Sequence, residues 1–124
     1  MTKRGLVIVS HSHHLAKGLY QLLREVGPDI ALTYSGGTDQ VAGIGTNYDE
    51  ILAAITNNSG EKIYALYDLG SAKMKIEMAI EASGKQVTIY DTSFVESAFV
   101  VASLLQVEAD DAQIEENLEP LKVK

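Results

Sequence analysis

Two short polar clusters in this sequence hold the residue types that chemistry needs. Ser10-His11-Ser12-His13-His14 follows the apolar run Leu6-Val7-Ile8-Val9, and Asp68-Leu69-Gly70-Ser71 follows Ile63 to Tyr67. A neutral imidazole is a competent nucleophile when its second nitrogen donates to a carboxylate that fixes the tautomer. His11 and Asp68 are candidates for that pair. Each also has a plainer reading, His11 as a residue lining its turn and Asp68 as the N-cap of a following helix. A helix capped by Ser10 or Ser12 would offer free backbone N–H groups and partial positive charge, so an anion beside His11 would be stabilised. His13 and His14 raise the question of a metal, since imidazole suits zinc. Successive residues at a helix start point in different directions, and no fourth ligand is evident. They read as exposed rim residues of a first turn, and no metal is expected.

Between the clusters lies a glycine-rich stretch containing Gly36-Gly37-Thr38 and Gly43-Ile44-Gly45-Thr46. Its small residues would let backbone N–H groups approach a phosphoryl group; the competing reading is a surface excursion. It is not a dinucleotide fingerprint, because Tyr48 holds the third glycine position and no strand immediately precedes the run. Gly84-Lys85 is followed by Gln86 and lacks the upstream glycine of a P-loop.

The elements that must position these clusters follow from hydrophobic periodicity. Leu6 to Val9 reads as a strand buried on both faces, with further strands at Ile30 to Tyr34, Ile63 to Tyr67 and Gln86 to Tyr90. Leu15, Leu19, Leu22 and Val26 recur as one helical face that Gly27-Pro28 ends. Ser35 to Thr46 reads as loop, and Tyr48, Ile51, Leu52 and Ile55 as a short second helix. Ala72 to Ala82 reads as a third helix, and Phe94, Val95, Ala98, Phe99, Ala102 and Leu105 form a broad stripe on a fourth. That breadth leaves room for burial between two copies of the chain. Ile114, Leu118 and Leu121 mark a weaker helix in an acidic tail, read as a solvated face.

The βαβαβαβα order predicts an α/β domain of three layers: a mainly parallel four-stranded sheet of order 2-1-3-4, helices on both faces, and room for an added antiparallel edge strand. Ligands of such sheets bind beyond the carboxyl ends of the strands, where the strand order reverses. In this order that point lies between the first and third strands. The fold rule therefore brings the histidine turn beside the Asp-x-Gly-Ser turn.

Composition narrows the function further. The chain has 124 residues, read as one domain over 1–124, with a net charge of -7 and no cysteine. Disulfides, thiolate nucleophiles and cysteine zinc sites are excluded, and a reducing cytoplasm fits. The acidic balance argues against nucleic acid and anionic membrane as partners. The apolar run after the charged N-terminus is too short for a signal peptide, and no stretch approaches the roughly 18 apolar residues of a membrane helix.

Four segments together resemble one family: Leu6 to Ser12, the Gly36-Gly37-Thr38 and Gly45-Thr46 loop, Asp68-Leu69-Gly70-Ser71-Ala72, and Val95-Glu96-Ser97-Ala98. The sequence is similar to the phosphotransferase subunit of bacterial dihydroxyacetone kinase dependent on the phosphotransferase system (PTS), whose first domain resembles the mannose-type enzyme IIA. The resemblance implies a cytoplasmic homodimer that needs no cofactor. It implies that a histidine accepts a phosphoryl group from the phosphocarrier protein HPr and passes it to ADP held on the nucleotide-binding subunit of the kinase. Carried over by position, that histidine is His11, modified at Nε2, with Nδ1–H directed to Asp68. Ser12, Gly37, Thr38, Gly70 and Ser71 fall on loops that line the site. Gly70-Ser71-Ala72 favours the dihydroxyacetone branch over a mannose-type enzyme IIA feeding a sugar permease. Ser97 departs from the glycine common in the family and bears on how closely that helix start packs. A non-enzymatic dimer binding a phosphorylated ligand is the remaining alternative. A receiver domain does not fit, since the first strand ends without paired acidic residues.

Overall fold

The β-branched run near the start of the chain is an inner strand of a parallel sheet. The computed structural model describes residues 3–38, 40 and 43–124. In chain order the elements are β1 (Arg4–Ser10), α1 (His13–Val26), β2 (Ala31–Gly36), α2 (Tyr48–Asn57), β3 (Lys62–Tyr67), α3 (Lys73–Ser83), β4 (Gln86–Ile89), α4 (Phe94–Gln106) and α5 (Asp111–Leu118). The four-stranded sheet has the order β2-β1-β3-β4, and every pairing is parallel. This is the predicted topology. Among the described residues the sheet has no added antiparallel edge strand, and Thr92 meets Lys122 in an isolated antiparallel bridge.

Alternation along β1 divides the core between two faces. Leu6 and Ile8 pack with Leu19 and Leu23 of α1, Ala98 and Val101 of α4, and Ile114 and Leu118 of α5. Val7 and Val9 point the other way, onto Ile51 and Ile55 of α2 and Ile76 and Ala79 of α3. A strand covered on both sides must be apolar throughout.

Three local expectations need correction. The buried face of α1 is Ala16, Leu19 and Leu23, while Leu15 and Leu22 are 42% and 49% exposed. The small Ala16 lets α1 sit close to β2, and a Cβ on Gly36 would lie only 2.5 Å from its methyl group. The face turned to the sheet is thus centred on Ala16, Leu19 and Leu23, and Leu15 and Leu22 fall outside it. The tail helix is not merely a solvated face, because α5 buries Ile114 and Leu118 completely. Asp111 anchors it through Arg4 (2.9 Å), Lys62 (2.5 Å) and the Tyr64 hydroxyl. The third helix is preceded by a 3-10 turn over Gly70–Ala72, so regular α-helix starts at Lys73. Ser97 fits its position fully buried, its Oγ 3.2 Å from Ser93 Oγ.

Asn58 ties the end of α2 to the sheet from a buried position. Its amide donates to the carbonyls of Leu6 (3.1 Å) and Ala31 (3.3 Å) and to Thr33 Oγ1, and its Oδ1 accepts the Gly60 N–H. Gly5 makes room for it, since a Cβ there would sit 2.1 Å from Asn58 Oδ1. Buried groups left without partners cost about 1–3 kcal/mol each. Asn58→Ala is therefore expected to lower stability by roughly 3 kcal/mol, read as a lower urea midpoint with an unchanged denaturant slope; a loss below roughly 0.5 kcal/mol contradicts this account.

Candidate functional site

Strands β1 and β3 lie side by side with Val9 opposite Tyr67, so the residues that follow them emerge together. The Asp68 N–H extends the pairing by donating to the Val9 carbonyl at 3.2 Å. The two turns expected to meet do meet. His11 Nδ1 is 2.8 Å from Asp68 Oδ1, which also accepts the Leu69 N–H at 2.7 Å. Oδ2 accepts the Ser10 hydroxyl at 2.7 Å and the His11 backbone N–H at 3.0 Å. Asp68 caps no helix through its side chain; it gathers these donors instead.

The side chains of His11 and Asp68 are 14% and 12% exposed. Burial alone would raise the Asp68 pKa. The hydrogen bonds from the His11 ring, the Ser10 hydroxyl and the backbone N–H groups of His11 and Leu69 outweigh it, and the carboxyl stays below its ordinary range. An ionised carboxylate can only accept, so Nδ1 carries a proton. In the neutral ring the lone pair then sits on Nε2. Ser71 Oγ lies 2.6 Å from Nε2 and is positioned to donate to it. The arrangement is an imidazole with a fixed tautomer, its nucleophilic nitrogen facing outward beside a hydroxyl donor.

The glycine-rich stretch folds against the same turn. The Gly45 N–H donates to the His11 carbonyl at 2.8 Å, Ile44 bridges Ser12, and the Gly37 N–H donates to the Ser10 carbonyl at 3.1 Å. Gly37 has φ +77°, and a Cβ there would lie 3.0 Å from the Gly43 carbonyl, so this position requires glycine. Among the described residues the His11 ring is hydrogen-bonded to Asp68 and Ser71 and to none of the other expected residues. Ser12 caps α1 by accepting the Leu15 N–H at 3.2 Å. Thr38 bonds within its own loop to Gln40. Gly70 opens the 3-10 turn with open space around it. His13 is half-buried rather than on the exposed rim, its ring 6.4 Å from Tyr34, while His14 is exposed. Among the described residues no group of three or more His, Cys, Asp or Glu side chains could hold a metal ion. Nor is any helix long and apolar enough to cross a membrane.

Ser10 is the participant whose role sequence reasoning missed. Its hydroxyl donates to Asp68 and accepts the Ser12 N–H at 3.0 Å, from a fully buried position. A polar residue ending a buried strand was the available signal.

Because its pKa is depressed in the fold, Asp68 adds stability above its unfolded pKa, and that contribution is lost as pH falls through the lower folded value. Asp68→Asn removes this term. Urea denaturation across the acid range should show the variant losing less stability than the wild type as pH drops through that window; parallel curves would contradict the assignment.

Residues 5–115 match the family model of the PTS system fructose IIA component. The chain is 38% identical over 120 residues to the phosphoryl donor subunit DhaM of PEP-dependent dihydroxyacetone kinase 1 from Listeria innocua, covering 97% of this chain and 96% of that one. It is also 38% identical over 120 residues to the phosphotransferase subunit DhaM of the PTS-dependent dihydroxyacetone kinase from Lactococcus lactis, covering 97% of each. The crystal structure of the unknown-function protein EF1359 shares the fold, with a TM-score of 0.79 and 24% identity over 98% of this chain and 97% of that one. On these matches the chain belongs to the mannose-type enzyme IIA family and, within it, to the DhaM phosphoryl donor subunits of dihydroxyacetone kinase.

Proposed function

We propose that His11 is the residue on which this phosphoryl donor subunit carries its cargo. The observation that carries the reading is the pair of ring contacts, Nδ1 on Asp68 and Nε2 on Ser71. The Nε2 lone pair attacks the phosphorus of a phosphohistidine on an HPr-type donor. A new N–P bond forms at His11 as the donor's N–P bond breaks, and the donor histidine leaves with the electron pair. In the second step a terminal oxygen of ADP, held on the nucleotide-binding subunit of the kinase, attacks the same phosphorus. The P–Nε2 bond breaks and the ring returns to its starting state. The Nδ1 proton stays in place throughout, held by Asp68.

Phosphoryl transfer asks for in-line positioning and for stabilisation of spread negative charge, with little covalent work from the protein. Ser71 can turn its hydroxyl from the ring to a phosphoryl oxygen, and neither step calls on a cofactor in this subunit. A histidine suits a relay because its N–P bond keeps the group transferable, unlike a serine ester. With a net charge of -7 the chain gains little from long-range attraction to anionic groups. Docking in the cytoplasm then rests on local shape and apolar contact, which the exposed Ile44 and Leu69 beside the site support.

Incubation with phosphorylated HPr should give one acid-labile, base-stable phosphoryl adduct, absent in His11→Ala. Asp68→Asn should slow its formation by roughly a hundredfold or more through loss of the tautomer lock, and Ser71→Ala by about tenfold. A stable adduct on another residue refutes the site. Onward transfer to the nucleotide-binding kinase subunit, and none to a IIB domain, separates this destination from a sugar permease.

The homodimer is part of the same proposal. Leu15 and Leu22 of α1 and Val95 and Phe99 of α4 are exposed on two helices that pack against one another, which supports pairing with a second copy. Leu22→Glu combined with Phe99→Glu is expected to sediment as a monomer, whereas an unchanged mass moves the interface elsewhere.

A further inference from the structure

Helix α3 starts with an electrostatic oddity. Its first turn has no acidic residue and carries Lys73 and Lys75, although the amino end of a helix disfavours cations. Lys73 is compensated by Asp91 at 2.9 Å. Among the described residues Lys75 has no carboxylate partner. Its ammonium donates instead to the Thr46 backbone carbonyl at 2.7 Å.

That bond joins the two segments that grip His11. On one side, the loop ending at Thr46 holds the histidine backbone through Gly45 N–H on the His11 carbonyl and through the Ile44 bridge to Ser12. On the other, the turn leading into α3 holds the ring through Ser71 on Nε2. Lys75 makes the one side-chain hydrogen bond among the described residues that links this loop to α3 and its preceding turn. The loop is otherwise tethered near its end by the Thr46 bridge to Gly37. With its lysine strap released, the loop would loosen its hold on the His11 carbonyl, and the ring would lose its fixed aim.

We propose that Lys75 is a positioning residue for phosphoryl transfer, strapping the loop that holds the His11 backbone to the helix whose leading turn holds the His11 ring. The proposal rests on the reading that His11 carries the phosphoryl group. Small misplacements of a reacting group cost rate without weakening docking, so the strap acts on turnover and not on partner affinity. The bond to Thr46 also sets a positive charge between the two segments, in a chain whose balance is otherwise acidic.

The test uses the full chain as Lys75→Met, which keeps the stem and removes the charge, and as Lys75→Arg, which keeps charge and donor. Amide hydrogen exchange should show the Gly45 N–H exchanging about tenfold faster in Lys75→Met, with β1 amides such as Val7 unchanged. Transfer from phosphorylated HPr to the nucleotide-binding subunit should fall about tenfold in kcat with KM nearly constant. Lys75→Arg should restore most of both. With the wild type phosphorylated on His11, an unchanged Gly45 exchange rate, an unchanged kcat, an effect on KM alone, or no rescue by arginine overturns the Lys75 assignment. A wild type that takes no phosphoryl group on His11 overturns the relay reading, and the role of Lys75 in transfer falls with it.

Discussion

The site is organised by one carboxylate that spends all of its acceptor capacity on its neighbours. Asp68 accepts from the His11 ring, the His11 backbone, the Ser10 hydroxyl and the Leu69 N–H. Two of these donors are backbone groups, so the contact fixes the path of the chain as well as the orientation of the ring. A buried carboxylate would be costly with any of its acceptor positions unmet. Here burial and compensation coexist, and the group stays ionised. The turn after β1 and the turn after β3 are thus held by the interaction that fixes the orientation of the imidazole.

That interaction depends in turn on the sheet. β1 and β3 are adjacent in a parallel arrangement, with Val9 level with Tyr67. A slip of one residue would reverse which face each side chain meets and would separate Asp68 from His11. Leu6 and Ile8 are fitted into one hydrophobic layer and Val7 and Val9 into the other, so a slip would put each side chain into packing shaped for a different one. Core packing and chemical geometry are therefore set by the same pairing. At the opposite end of the strands, Arg4, Lys62 and Tyr64 converge on Asp111 and hold α5 over the first layer.

The surroundings of Nε2 suit a relay better than a site that turns over a small molecule. The nitrogen sits at the edge of the fold beside Ser71, with large apolar side chains such as Leu69 and Ile44 exposed nearby. A phosphoryl relay needs only to receive and release one group. The loop from Gly43 to Thr46 acts as backbone support, through Gly45 on the His11 carbonyl, more than as a ligand cradle. This supporting role explains why small residues occur there without any nucleotide-binding pattern.

Much of this was legible in the sequence, because parallel strands covered on both faces leave continuous apolar runs, and the polar residues that interrupt them are conspicuous. The alternation of strands and helices implied the strand order, and that order implied that His11 and Asp68 would face each other. Sequence reasoning did not reach the parts decided by packing across elements. The face of α1 that meets the sheet is built around Ala16, close to Gly36, with Leu15 and Leu22 outside it, which periodicity within one helix cannot reveal. Ile114 and Leu118 are core, and Asp111 holds their helix in place through three partners far away in the chain. Ser10 joined the site because its buried hydroxyl had one carboxylate within reach. Local pattern determined which elements form and what they carry; only tertiary structure decided which faces are covered and which polar atoms meet, since those depend on residues distant in sequence and close in space.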